Sequence, residues 1–171
     1  MKYIILLFLI GTNLFASLDK IDSFDAEFTQ KITDEKNQTI TYSGHIVAIK
    51  PSNARWTYLK PVKKDVYMNI YDVTIVESEM EQVIIKKVES NFDFFKMIAN
   101  AKKLKENIYT TTYKDTKFTI TKKGELIDSI SYTDEFENKI IINFKNQIQN
   151  KKIDEKIFTP TYPLHYDIIR D

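Results

Sequence analysis

Apolar and polar residues alternate along most of this chain, and the alternation predicts strands. From Phe24 one side reads Phe24, Ala26, Phe28, Gln30, Ile32, and the other reads Asp25, Glu27, Thr29, Lys31. A period of two sustained this long marks a half-buried strand. Leu18 and Ile21, three apart, predict a short helical turn leading into it over residues 17–23. The polar run Asp34-Glu35-Lys36-Asn37-Gln38 predicts a turn, and a second strand follows over residues 39–49 with Gly44 as a bulge or bend. Pro51-Ser52-Asn53 turns the chain again. Ala54, Trp56 and Tyr58 then alternate against Arg55 and Thr57 until Pro61 ends the strand. Shorter strands are predicted at Val66, Met68 and Ile70, at Val73 and Ile75, and at Val83-Ile84-Ile85.

The period changes over residues 91–105. Phe92, Phe95, Ile98 and Lys102 share one helical face, flanked by Phe94, Met97 and Ala101. This is the one long helical pattern, and its apolar face is rich in Phe and Met. Strands resume at residues 108–113, 117–121, 126–132, 139–147 and 153–158, with turns at Lys123-Gly124 and Asp134-Glu135-Phe136-Glu137-Asn138. Short strands at this spacing indicate an antiparallel sheet, sandwich or barrel. No repeat or linker interrupts the pattern, so residues 17–171 read as one domain.

The first sixteen residues follow a different logic. Lys2 is the sole charge before the apolar run from Tyr3 to Ile10, and Leu14-Phe15-Ala16 supplies a small-residue cleavage site. That layout predicts a secretory signal peptide over residues 1–16. The run is shorter than the roughly 20 residues a spanning helix needs. The expectation is a soluble, exported, monomeric protein.

Composition narrows the chemistry. The chain has 25 Lys and Arg against 24 Asp and Glu, and loss of Lys2 with the signal peptide leaves the signs balanced. A phosphate-binding face normally leaves a basic excess, so nucleic acid is not an expected partner. The absence of cysteine excludes disulfides, thiolate metal sites, a cysteine nucleophile and lipidation of this chain at a cysteine. With 3 glycines the chain is a poor candidate for a Gly-rich phosphate loop. Two histidines, His45 and His165, make a poor metal site, and no nucleophile elbow accompanies them. Glu77, Glu79 and Glu81 alternate with Ser78 and Met80 and read as a solvated loop. Neither catalysis, metal nor cofactor is expected. A Ser/His/Asp hydrolase built on His45 or His165 is the enzymatic alternative. Asn37-Gln38-Thr39 is a glycosylation sequon with Glu35 two places before the Asn, and chance occurrence is the preferred reading.

Several of these residues together resemble the LolA family of periplasmic outer-membrane lipoprotein carriers. The stretch from Leu18 to Asp34 is similar to that family's opening helix and first strand, with the Phe-x-Ala-x-Phe-x-Gln alternation at Phe24 to Gln30. Gly44, Lys50-Pro51, Arg55-Trp56 and Pro61 reproduce its later spacing. Glu81-Gln82-Val83, the helix from Phe94 to Ala99, Phe158-Thr159-Pro160 and Tyr166-Asp167-Ile168-Ile169 resemble its following hairpin, lid and closing strand.

The resemblance implies a mainly β (α+β) fold: an unclosed antiparallel half-barrel of about eleven strands covered by a lid of short helices. It implies a periplasmic chaperone that takes acylated outer-membrane lipoproteins from an inner-membrane ABC-type release complex to an outer-membrane acceptor. Another amphiphile, a glycolipid or fatty acid, is the alternative cargo. The cavity residues expected are Phe24, Phe28, Ile46, Trp56, Met68, Ile70, Phe95 and Met97. The family's lid latch is a basic residue before the strand-ending Pro, which here is Lys50, with Arg55 ranked second. Two family features are missing: Ala54 stands where the family has an aromatic residue, and the aromatic residues and Pro before Glu81-Gln82 are replaced by Ile75, Val76 and Ser78.

Overall fold

The structure, a computed structural model, describes residues 18–87 and 94–170. The signal-peptide expectation for residues 1–16 and the first residues of the expected helix, including Phe92, lie outside them. Among the described residues, β1 (Ser23–Thr33), β2 (Thr39–Ile49), β3 (Asn53–Lys60), β4 (Lys64–Met68), β5 (Asp72–Glu77) and β6 (Gln82–Lys87) form a meander. The helix α1 (Phe94–Ala99) follows. Then come β7 (Lys102–Lys105), β8 (Ile108–Tyr113), β9 (Thr116–Lys123), β10 (Leu126–Thr133) and β11 (Lys139–Gln149), with β12 (Asp167–Arg170) at the end.

The twelve strands make one sheet in the order β12-β6-β5-β4-β3-β2-β1-β11-β10-β9-β8-β7. The two meanders join where β11 pairs with β1, Phe28 opposite Phe144 and Gln30 opposite Ile142. Among the described strands only β12 with β6 pairs in parallel. β12 and β7 are the free edges, so the sheet does not close. It curls nevertheless. Ala54 of β3 and Ile130 of β10, four strands apart in the sheet, belong to one buried cluster. Alternation puts Phe24, Ala26, Phe28, Ile46 and Ala48 on the concave face with Phe118, Ile120, Ile130, Ile142 and Phe144. A second, smaller cluster of Tyr67, Val76 and Val83 occupies the convex face, where Tyr162 and Tyr166 of the C-terminal segment cover it.

Gly44 shows why residue type matters at the bend. A Cβ there would sit 2.0 Å from the Thr57 carbonyl oxygen and 3.0 Å from the Phe28 ring. The β2–β3 register shifts between Ser43 and Gly44, the expected bulge.

The sheet is the expected open half-barrel, with twelve strands where about eleven were expected and one parallel pair at its edge. The expected helix over residues 91–105 stops at Ala99, where the Asn100 and Ala101 amides donate back to the Lys96 and Ile98 carbonyls. Residues from Lys102 onward pair with β8 as an exposed edge strand. The strand expected over residues 153–158 is a 3-10 turn, Glu155–Phe158, capped by the Asp154 side chain accepting from the Lys156 amide. The leading turn is a 3-10 turn at Leu18–Lys20.

Candidate functional site

The short helix α1 roofs the concave face. Phe94, Phe95, Met97 and Ile98 of its six residues are buried, with Ile98 fully so. The Phe94 ring meets Phe24 at 5.6 Å and Phe95 at 5.4 Å between centroids. Phe24 in turn packs edge-on against Phe144 at 5.1 Å. Between roof and sheet lies a cavity of about 250 Å³.

Five of the eight expected cavity residues line this space: Ile46, Trp56, Met68, Phe95 and Met97. Phe24 and Phe28 sit below it as solid core, at 0% and 3% exposure. Phe28 is held edge-on between Trp56 at 5.0 Å and Tyr58 at 5.1 Å. Ile70 is elsewhere. β4 ends at Met68 because the Asn69 side chain accepts from the Tyr71 and Asp72 amides, an Asx-type turn that leaves Ile70 exposed.

Sequence reasoning missed the opposite wall: Phe118 of β9, Ile130 and Tyr132 of β10, and Ile142 of β11. Alternation on those strands marks the residues as inward, but only the β1–β11 pairing brings them across from β3. Phe94, Val66, Ala54 and Tyr58 were also missed, as was Gln30.

One end of the cavity is polar. The Tyr58 hydroxyl donates to Gln30 Oε1 at 3.1 Å. The Tyr42 ring packs against Tyr58 at 5.7 Å, and Lys64 Nζ lies 4.9 Å from the Tyr58 ring centroid. Burial, and then the nearby Tyr132 and Tyr42 phenols, push Tyr58 up to about 12. Burial, then Asp134, raises Tyr132 as well. Both phenols are therefore neutral donors at physiological pH.

The two candidate latch residues part company. Lys50 Nζ donates to the Asp19 carbonyl at 2.9 Å and pairs with Asp22 at 2.7 Å. It thus ties the end of β2 to the N-terminal 3-10 turn, against which α1 packs. Arg55 points to the convex face instead, pairing with Asp65 at 3.0 Å and lying over Tyr67. Its neighbours Ala54 and Trp56 take the concave side, so alternation alone directs it away from the roof.

The histidines are placed apart from the cavity lining. His45 Nε2 lies 2.9 Å from Asp25, which also pairs with Lys151, and this cluster fastens the C-terminal segment to β1 and β2. His165 is exposed beside Tyr166. Asn37 is exposed in the β1–β2 turn with φ 61°. Among the described residues no three metal-ligating side chains gather.

Comparison with known proteins agrees with this architecture. The family model for outer membrane lipoprotein carrier protein LolA matches residues 19–108. An outer-membrane lipoprotein carrier protein of Campylobacter jejuni is 39% identical over 99% of this chain and 100% of its own length. One from Wolinella succinogenes is 30% identical over 94% of each chain. Among solved structures, an uncharacterized conserved protein from Thermus thermophilus superposes with a TM-score of 0.54 at 11% identity, covering 90% of this chain and 93% of that one, a likeness of fold. A half-barrel sheet, a Phe-rich roof and an apolar hollow between them, in a chain this similar over its whole length to named carriers, place it: the protein belongs to the LolA family of outer membrane lipoprotein carrier proteins.

Proposed function

We propose that this protein carries acylated lipoproteins through the periplasm, sheltering their acyl chains in the cavity beneath α1. The observation that carries the reading is that cavity, apolar over most of its wall and roofed by Phe94, Phe95 and Met97. Each lipid methylene withdrawn from water is worth about 0.8 kcal/mol. A cargo with several long chains therefore stays on its membrane unless a protein takes over that burial. Met and Phe suit the task, since adaptable apolar contacts hold a chain without demanding one geometry.

Two membrane partners complete the reading. Cargo arrives from an inner-membrane ABC-type release complex and leaves to an outer-membrane acceptor, and residues 1–16 export the protein as a cleaved signal peptide. Lys50 acts as the latch by steadying the N-terminal turn on which the roof rests.

The test is capture in place. A photo-crosslinking residue at Phe95 in the periplasm of living cells is expected to trap acylated lipoproteins, identified by mass spectrometry of the adduct. Adducts that carry no acylated lipoprotein defeat the reading. Adducts to glycolipid or fatty acid alone would transfer the cavity to that class of amphiphile.

A further inference from the structure

The polar end of the cavity is unexplained by hydrocarbon binding. Gln30 lies on the concave face of β1, six residues along from Phe24, which touches the roof. That separation is about 20 Å of strand. Gln30 replaces what the alternation would fill with an apolar residue, between Phe28 and Ile32. Tyr58 engages its carbonyl oxygen at 3.1 Å. This bond fixes the amide so that its nitrogen, with two N–H groups, is left as donor. Among the described residues no protein group accepts from that nitrogen or from the Tyr132 hydroxyl, and both residues line the cavity. Ser52 and Asn53 line the same cavity at the start of β3, away from Tyr58; at the Tyr58 end the Gln30 and Tyr132 donors match a ligand that brings an acceptor.

We infer that the Gln30 amide and the Tyr132 hydroxyl form a subsite for the carbonyl oxygen of the ester or amide that joins an acyl chain to its headgroup. This rests on the reading of the cavity as an acyl-chain site. An acyl carbonyl drawn into an apolar pocket loses its water and needs a protein donor. The subsite supplies one where the chain ends, so it fixes how deeply the chain enters and keeps the headgroup outside. Tyr58 is a positioning residue: it orients Gln30 without touching the ligand. Tyr58 carries Lys64 against its ring.

The test compares three probes of equal chain length below their micellar concentrations: 1-decanoylglycerol, the ether 1-O-decylglycerol, and decanoate. Binding is followed by the fluorescence of Trp56, the one tryptophan of the chain. The ester is expected to bind about fivefold more tightly than the ether, the effect of one net hydrogen bond. Gln30→Met and Tyr132→Phe should each bring the ester-to-ether ratio toward one, and Tyr58→Phe should reduce it in part. Thermal melts check that each variant folds, and Tyr132→Phe keeps the test alive if Gln30→Met does not. Equal binding of ester and ether by the unaltered protein overturns the subsite and leaves the acyl cavity standing. Failure of all three probes to bind removes both. Decanoate binding more tightly than the ester overturns the carbonyl assignment in favour of a carboxylate site backed by Lys64.

Discussion

At the scale of single residues, two positions show how far side-chain chemistry is fixed by the fold around it. Gly44 leaves room for a neighbouring strand, and nothing larger fits without moving the Thr57 carbonyl. Gly44→Ala is expected to lower the urea midpoint by an amount equivalent to about 1–3 kcal/mol, the usual cost of overpacking. Tyr58 gives a pH prediction with a definite sign. Its phenol ionises near 12 in the folded state and near 10 when unfolded. The unfolded chain therefore gives up this proton first as pH rises. The contribution is complete below pH 10 and is lost between 10 and 12, on the order of 2 kcal/mol. Urea melts at pH 9 and pH 12 should show a larger drop for the unaltered protein than for Tyr58→Phe, and the difference between the two isolates this group. Of the two, only Gly44 stands out in the sequence; Tyr58 reads there as one member of an alternating strand. Gly44 was legible as a bend, and the inward side of Trp56 and Met68 was legible because one buried face imposes a strict period of two; that this side borders a cavity was implied by the family resemblance. Ile70 misled for the same reason: the alternation of Val66 and Met68 runs on past the point where the Asn69 side chain turns the chain.

At the scale of elements, the two hairpins that flank the β1–β11 seam are built alike. Asp34 and Asp134 each begin a turn in which the Asp amide donates to the carbonyl four residues on, at Gln38 and Asn138. Asn37 and Glu137 each take φ 61°. Such turns are readable as polar runs between alternating strands. The end of the helix is not. Lys102–Lys105 has no alternating burial to announce it, since all four side chains are exposed, and the helical spacing of Ile98 and Lys102 carries straight through. Edge strands guarded by lysine resist further pairing, and β7 fits that design. The other short element, the 3-10 turn at Leu18–Lys20, is where Lys50 acts. Its contacts are exposed, so Lys50→Met should change global stability by less than about 1 kcal/mol. Amide hydrogen exchange should nevertheless quicken in α1 more than in the middle of the β1–β11 seam, because the turn packs against α1 and meets the seam only at its end, where Asn150 bonds Lys20 and Asp22. Unchanged protection across α1 would remove Lys50 from the latch.

At the scale of the whole molecule, the cavity is too small for what it is proposed to hold. Sites for drug-sized ligands run to about 300–1,000 Å³, and this one, open to solvent on one side, measures about 250 Å³. Part of one acyl chain fits; a cargo with several chains does not. The sheet cannot supply the missing space, since its strands are paired from β12 to β7 and its floor of Phe24, Phe28 and Phe144 is closely packed. The convex face is also pinned, by Tyr162 and Tyr166 on Tyr67 and by Asp25 with His45 and Lys151. What can move is α1, a six-residue helix held by apolar contacts and by the turn beneath it. Opening must then come before full occupancy, and a closed state only modestly favoured makes the protein both receptive and able to release. This has a kinetic signature. In stopped-flow mixing with a diacyl ligand in excess, the observed rate from Trp56 fluorescence should level off as ligand concentration rises, at the rate of opening. Lys50→Met should raise that plateau by loosening the roof. A rate that climbs linearly with concentration throughout would mean that the cavity admits chains as it stands, and the roof would lose its part in the mechanism.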